Sequence, residues 1–415
     1  MDNLKERCRD TLRANDRGGY TVPTAGLYPF QWLWDSGFNA LGWATFDEVR
    51  AWLELTTLLE AQWEDGMVPH IVFHDRNTGY PLDHTFWDAP GPVPSSGITQ
   101  PPVIATVARR MLERTRDRKQ ALAAVRTLYP GLLAFHRWFY RARDPEGTGL
   151  VTVLHPWEGG MDNSPVWDEA LARVTPVAMT VERRDTHHVG AEQRPHQAEY
   201  QRYLALVLAF RERRYDPARL YRESPFKVAS VAINAVLHRA NQDLLALAQV
   251  LEAPDAPEIE AWLTRGQQGM ASLWHDDLFY SRDLVSGHMI PVRTWEAFMP
   301  LYSGQATPEQ AARLEGTMRR WSEAVRYLLP STAPDDVCFE PRRYWRGPVW
   351  MPVNWLLAQG CHAYGFMDLA VRLKQDMGTL AERSGLYEYY DPLTGDGLGG
   401  GTFSWTAALL LDWMT

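Results

Sequence analysis

The sequence predicts an all-α fold: a toroid of six helical hairpins, or (α/α)6 barrel, carrying loop insertions and a few short β-hairpins. Three observations lead there. Apolar residues recur at helical spacing through most of the chain. Four turns share an Asp followed by Ser/Thr-Gly: Asp75–Gly79, Asp144–Gly149, Asp283–Gly287 and Asp391–Gly395, where Asp caps the backbone and Gly accepts positive φ. The first three lie near one and two multiples of about 70 residues, and six such units fill the chain, although the fourth departs from the period. Finally, no Pro/Gly/Ser linker divides the sequence, so residues 1–415 read as one domain.

In chain order, a short helix is expected at 34–44. A capping box of Thr45 and Glu48 then opens an apolar-periodic run to Trp63. Residues 65–100 carry Pro69, Pro81, Pro90, Pro92 and Pro94 among glycines and read as loop. Helices follow over 101–116, 119–128 and 130–142, with Pro130 dividing or kinking the last two. A short helix at 163–172 precedes a polar, aperiodic stretch at 173–196, a length that marks a functional insertion such as a lid. We therefore expect lid-like insertions at about 65–100 and 173–225. Helix 197–211 is followed by 225–251, which Ser224 and Pro225 open as N-cap and first residue. The remaining helices are 257–273, 294–302, 307–327, 349–364, 366–383 and 402–413.

Composition removes several classes of function. A formal charge of −9 argues against nucleic-acid binding. No apolar run is long enough to span a membrane, and the first residues, MDNLKERCRD, lack a signal peptide's apolar core, so a cytoplasmic location is expected. Three scattered cysteines (Cys8, Cys338, Cys361) make neither a disulfide framework nor a zinc site. An apolar helix face could pair copies of the chain, but nothing marks a homo-oligomer interface. The informative number is 18 tryptophans, because each buried indole N–H needs a partner and cores usually favour aliphatics. Flat aromatic walls suit sugars.

Four segments combine aromatics, carboxylates and glycines outside helical periodicity: Gly26–Ser36, His155–Pro165, Tyr344–Asn354, and Leu386–Asp391 with the glycine run leading to Trp405. Asp35 before Ser36, and Asp162 before Asn163-Ser164-Pro165, also suit helix starts. Glu388 among three tyrosines, in a short strand-like piece, has no such structural account. Glycosidic bond cleavage needs a general acid and a second carboxylate, and aromatic surroundings raise the acid's pKa by desolvation.

These segments resemble glycoside hydrolase family 63, through Trp32-Leu-Trp-Asp35-Ser, Trp157-Glu-Gly-Gly-Met-Asp162-Asn-Ser-Pro, Tyr344-Trp-Arg-Gly347-Pro-Val-Trp350 and Tyr387-Glu388-Tyr-Tyr-Asp391. The motifs run in the family's order along nearly the whole chain, and the trehalase family shares the toroid and a similar acid segment. The resemblance implies an inverting α-glycosidase with Asp162 as general acid and Glu388 as general base. It implies sugar contacts from Tyr28, Trp34, Asp35, Trp157, Tyr344, Trp345, Gly347 and Trp350, and requires no metal or organic cofactor.

The size matches compact bacterial members resembling hydrolases of mannosylglycerate and glucosylglycerate, both anionic. A glycerate carboxylate calls for a guanidinium fork. Arg194 with Tyr200 matches the glycerate-binding pair of those relatives in residue type and spacing, and Gln100, His70 and His74 are candidates to complete the site. The expected partner is thus a small sugar-acid substrate. The alternatives are an α-glucosidase or trehalase-like hydrolase of neutral oligosaccharides, and, from another class, an inactive sugar-binding protein.

Overall fold

Twelve helices stand in two concentric rings of six in the computed structural model, which describes residues 2–75, 79–179, 183 and 189–415. The outer ring is α1 (Asp2–Asn15), α3 (Glu48–Leu59), α5 (Arg118–Ala142), α7 (Ala256–Ala271), α9 (Pro308–Ala324) and α11 (Met367–Ser384). The inner ring is α2 (Leu33–Ala44), α4 (Ile104–Arg114), α6 (Val231–Leu251), α8 (Met299–Ser303), α10 (Met351–Ala363) and α12 (Ser404–Trp413). Each inner helix packs on the next, and α12 returns to α2, so the ring closes and the fold is an (α/α)6 barrel. The first helix, α1, packs on the last, α12.

Sequence dictates which ring a helix joins. An inner helix such as α2 (LWDSGFNALGWA) is buried along nearly its whole length, with the polar Asp35, Ser36 and Asn39 enclosed too, whereas outer helices such as α3 bury one stripe. Closure also needs close approach. A Cβ on Gly42 of α2 would lie 2.6 Å from the Ala408 backbone of α12, so no side chain fits between these helices.

Short antiparallel strands gather at one end of the barrel. Gln31–Trp32 pairs with Ile71–Val72, Val228–Ala229 with Arg282–Asp283, and Val349–Trp350 with Tyr389–Tyr390, which also pairs with Gly397–Leu398. Strands Gln31–Trp32, Val228–Ala229 and Val349–Trp350 lead into α2, α6 and α10 respectively. The connections from outer to inner helices therefore converge at the N-terminal ends of the inner ring. Those connections, with the first turns of α2, α10 and α12, contain all four of the aromatic segments read from the sequence.

Several expectations change. The helix over 48–59 is capped by Asp47, which accepts Arg50 N–H at 3.0 Å, while Thr45 ends the preceding helix. Residues 118–142 form one helix through Pro130, which is exposed, so water can serve the carbonyl its ring leaves without an N–H. Ser230 rather than Ser224 caps α6; Ser224 closes a local turn onto Phe226, and residues 228–229 are drawn into a strand. The unpredicted α1 buries Leu4, Cys8 and Leu12, a spacing of four visible in an otherwise polar segment. Inner helices begin at 33, 104, 231, 299, 351 and 404, so the 70-residue period is not general; the long 143–230 connection breaks it. Part of the Asp75–Gly79 turn (76–78) and of the 173–196 stretch (180–182 and 184–188) lies outside the described residues. Among those described, no helix is long and apolar enough to cross a membrane.

Leu409 on α12 is fully buried in the inner ring. Leu409→Ala is expected to lower the unfolding free energy by about 2–5 kcal/mol in urea titration. A change under about 0.5 kcal/mol, typical of a surface site, would contradict a close-packed inner wall.

Candidate active site

A cavity opens where these connections meet. Its wall includes Tyr28, Trp34, Asp35, Gln100, Trp157, Asp162, Arg194, Tyr200, Tyr344 and Glu388, ten of the residues singled out in the sequence. Gathered from all but one of the outer-to-inner connections and from the first turns of α2 and α12, they stand on a rigid ring.

Glu388 precedes the strand Tyr389–Tyr390, and the strand fixes it. Its N–H donates to the Gly400 carbonyl at 2.9 Å, and the Gly400 N–H donates back to its Oε2 at 3.1 Å. The intervening Gly399 has φ +71°, and a Cβ there would fall 2.3 Å from Oε2. Only glycine lets the loop fold this tightly over the carboxylate. Oε1 accepts the hydroxyls of Tyr28 and Tyr344 at 3.1 Å each. Burial first, and then the charge of Glu388, push both phenols well above their ordinary pKa, so they remain donors. Oε2 also accepts Arg194 Nη2 at 3.0 Å, a pair in which both side chains are almost wholly buried.

Arg194 comes from the 189–196 segment, which is fastened to the strands beside Glu388. Gln193 accepts Tyr389 Oη on its carbonyl at 3.1 Å and Gly399 N–H on Oε1 at 3.3 Å. The Arg194 carbonyl accepts Arg343 Nη1 at 3.1 Å. Its guanidinium donates to Tyr28 Oη at 2.7 Å and lies 4.6 Å over the Tyr344 ring.

Asp162 ends a tight turn after the 3₁₀ helix Pro156–Gly159. A buried ion pair, Arg143–Glu158 at 2.5 Å, anchors this turn, with Glu158 also accepting Leu154 N–H at 2.8 Å. The Asp162 carbonyl accepts Tyr203 Oη at 2.6 Å, and Asn163 Oδ1 accepts Trp345 N–H at 3.0 Å, tying the turn to the Tyr344 segment. Asp35, in the first turn of α2, is buried beside the cavity. Desolvation, then the charge of Glu388, raises its pKa well above the usual carboxylate range. Behind it, Ser36 Oγ donates to the fully buried Glu54 at 2.7 Å, which pairs with Arg50 at 2.9 Å.

In the same wall, His70 stacks near Trp157 at an interplanar angle of 14° and contacts Ser96 Oγ through Nδ1 at 2.7 Å. Gln100 Oε1 accepts Trp34 N–H at 3.3 Å. His74 is not in the wall; it contacts Gln31 Oε1 at 2.8 Å and stacks on Tyr20. Trp345 and Trp350 also stand behind the lining. They stack on each other at 3.9 Å, and Trp350 stacks on Tyr389 at 4.5 Å, which makes them a backing layer for the wall. Gly347 is buried against the Glu340–Pro341 backbone, its carbonyl accepting Ser331 N–H at 3.3 Å. The Pro-rich loop also supplies Tyr80, Leu82 and Trp87, which sequence reading passed over; an aromatic cluster inside a proline-rich loop was the available signal. Among the described residues no group of three or more His, Cys, Asp or Glu could hold a metal ion.

Comparison with known proteins places this arrangement in context. Residues 28–406 match the family model of the mannosylglycerate hydrolase MGH1-like glycoside hydrolase domain. The chain is 52% identical over 410 residues to the mannosylglycerate hydrolase of Thermus thermophilus, covering 97% of this chain and 99% of that one. It is 36% identical over 435 residues to the glucosylglycerate hydrolase of Mycolicibacterium hassiacum, covering 99% and 97%. The crystal structure of a family 63 mannosylglycerate hydrolase from Thermus thermophilus, in complex with Tris and D-glycerate, superimposes with a TM-score of 0.97. That match is at 51% identity, over 99% of this chain and 100% of that one.

His155, beside the turn bearing Asp162, uses both ring nitrogens as a neutral imidazole: Nε2 donates to the Tyr203 carbonyl at 3.1 Å and Nδ1 accepts Trp157 N–H at 3.1 Å. Burial lowers its pKa from 6.5 to about 3. The unfolded chain takes up a proton below about pH 6.5 and the folded chain does not, so this group's contribution to stability falls with acidification through that window. The stability advantage of wild type over His155→Gln should shrink by about 1.4 kcal/mol per pH unit between about pH 6 and 4. Urea titrations showing a constant difference would contradict a neutral His155. Separately, Gly399→Ala should fold yet lose at least about 10²-fold in kcat, as Glu388 is displaced; unchanged turnover would contradict the close approach.

Proposed function

The chain belongs to the mannosylglycerate hydrolase MGH1-like glycoside hydrolase family, and on that basis we propose that it hydrolyses 2-O-α-mannosyl-D-glycerate, with glucosylglycerate as a second substrate, to hexose and D-glycerate. The reaction is inverting. Asp162 protonates the glycosidic oxygen as the bond to the anomeric carbon breaks. Glu388 takes a proton from the water that attacks that carbon from the opposite face, and the hexose leaves in the β configuration. The aromatic wall excludes water and holds the oxocarbenium-like sugar, and Asp35 accepts from its hydroxyls.

The observation that carries this reading is the charge distribution of the cavity. Three carboxyl groups, Asp35, Asp162 and Glu388, share it with one guanidinium, Arg194, the sole Lys or Arg among the described residues of the wall. A glycerate carboxylate entering there has Arg194 as its cation, with Tyr200, Gln100 and His70 as neutral neighbours. One observation favours a second reading: Arg194 stands on Glu388, so it could be the base's permanent partner in a hydrolase of neutral α-glucosides.

We read residues 1–415 as one catalytic domain with 65–100 and 173–225 as its lids. A cytoplasmic location suits three free thiols, of which Cys8 and Cys361 are buried and raised by burial to about 12.

Asp162→Ala and Glu388→Ala should each lower kcat by at least about 10²-fold while sugar binding persists. In a screen of mannosylglycerate, glucosylglycerate, trehalose and maltose, the anionic pair should be the better substrates, with the β anomer appearing first by NMR. Undiminished turnover by either variant would overturn the assigned roles, and preference for the neutral sugars would support the second reading.

A further inference from the structure

The surroundings of Glu388 leave a general base nowhere to hold its water. An ionised carboxylate offers about four lone-pair positions. Here Oε1 accepts Tyr28 and Tyr344, and Oε2 accepts Arg194 and the Gly400 N–H. All four are taken by the protein. A Glu388 so occupied is a resting base.

The four donors differ in their freedom to leave. The Gly400 N–H belongs to the backbone that folds over Glu388 and cannot turn away. The two phenols are neutral, and withdrawing them would leave the Arg194 charge in place. Arg194 is the donor whose departure both frees a lone pair and takes the one cation off Glu388. Its Nε is buried without a hydrogen-bond partner among the described residues, so the present pose leaves part of the fork unused. Its backbone is held through Arg343, so exchange needs only a side-chain rotation.

We infer that the carboxylate of an anionic aglycone and the catalytic base compete for this one guanidinium, so that substrate binding draws Arg194 off Glu388 and thereby switches the base on. Arg194 is then a positioning residue that acts through Glu388 as well as a contact for the aglycone. Selectivity for anionic glycosides resides in kcat as well as in KM: a neutral glycoside that fits the sugar site leaves Arg194 on the base and turns over slowly. This rests on the proposed mannosylglycerate hydrolysis, because it needs a carboxylate in the aglycone site.

α-Mannosyl fluoride separates the two parts of the substrate, since it fills the sugar site and leaves the aglycone site open. In its hydrolysis the water oxygen bonds to the anomeric carbon, the C–F pair departs as fluoride, and the water proton goes to Glu388. Fluoride release by the full-length enzyme is measured with and without D-glycerate, with glycerol as the uncharged control. Glycerate is expected to raise kcat on the fluoride roughly tenfold with little change in KM, about the value of one hydrogen bond to a charged group, whereas glycerol has no effect. Arg194→Ala should hydrolyse the fluoride near the stimulated rate without glycerate, while losing mannosylglycerate through KM. If wild type hydrolyses mannosylglycerate but glycerate leaves fluoride release unchanged or only inhibits it, the inference is overturned, without recourse to any variant. Failure of wild type to hydrolyse mannosylglycerate would instead remove the proposed function, and this inference with it.

Discussion

The ion pair between Arg194 and Glu388, enclosed by Tyr28, Tyr344 and Gly400, is the interaction around which the site is organised. Burying a carboxylate is costly unless hydrogen bonds and a counter-charge replace its water. Glu388 is about 1% exposed and receives all of these from four separate stretches of chain. The four stretches meet at this one carboxylate, so the segment bearing Arg194 is part of the site's structure.

The barrel supplies the rigidity this requires. Inner helices present their N-terminal ends to the mouth, and short paired strands lead the incoming chain into α2, α6 and α10. The Arg143–Glu158 pair and the Tyr203 hydroxyl fix the turn bearing Asp162, while Asn163 joins that turn to the Tyr344 segment. Asp162, Glu388 and the residues that hold them therefore come from distant parts of the sequence, yet connect through very few intervening bonds. The stacked pair Trp345 and Trp350 transmits packing from this network to the strand following Glu388.

Much of this was legible in the sequence because the signals were local. Apolar periodicity located most of the helices, and aromatic, glycine-rich interruptions located the connections that form the mouth. What was not legible depended on tertiary pairing. Pro130 reads as a helix breaker, yet on the solvent side of α5 it is accommodated. Ser224 reads as a cap, but pairing of residues 228–229 with 282–283 delays the helix to Ser230. The indoles of Trp345 and Trp350 share a motif with Tyr344, and only the fold separates the wall from its backing. Nothing in the sequence spacing of Arg194 and Glu388 foretold their contact; they lie 194 residues apart in the chain. The tryptophan excess likewise divides into a mouth group, with Trp32, Trp34, Trp157 and Trp405, and a structural group that includes Trp138 and Trp355.

On the proposed reading, a single buried guanidinium serves Glu388 in the resting site and the substrate's carboxylate in the reacting one. Seeing both states decides the matter, and a crystal structure of the Asp162→Asn enzyme with intact mannosylglycerate would show the second. The expected structure has the Arg194 fork on the glycerate carboxylate, and a water held by Glu388 in line with the anomeric carbon on the face away from residue 162. A structure with Arg194 still on Glu388, and the carboxylate bound elsewhere, would contradict it.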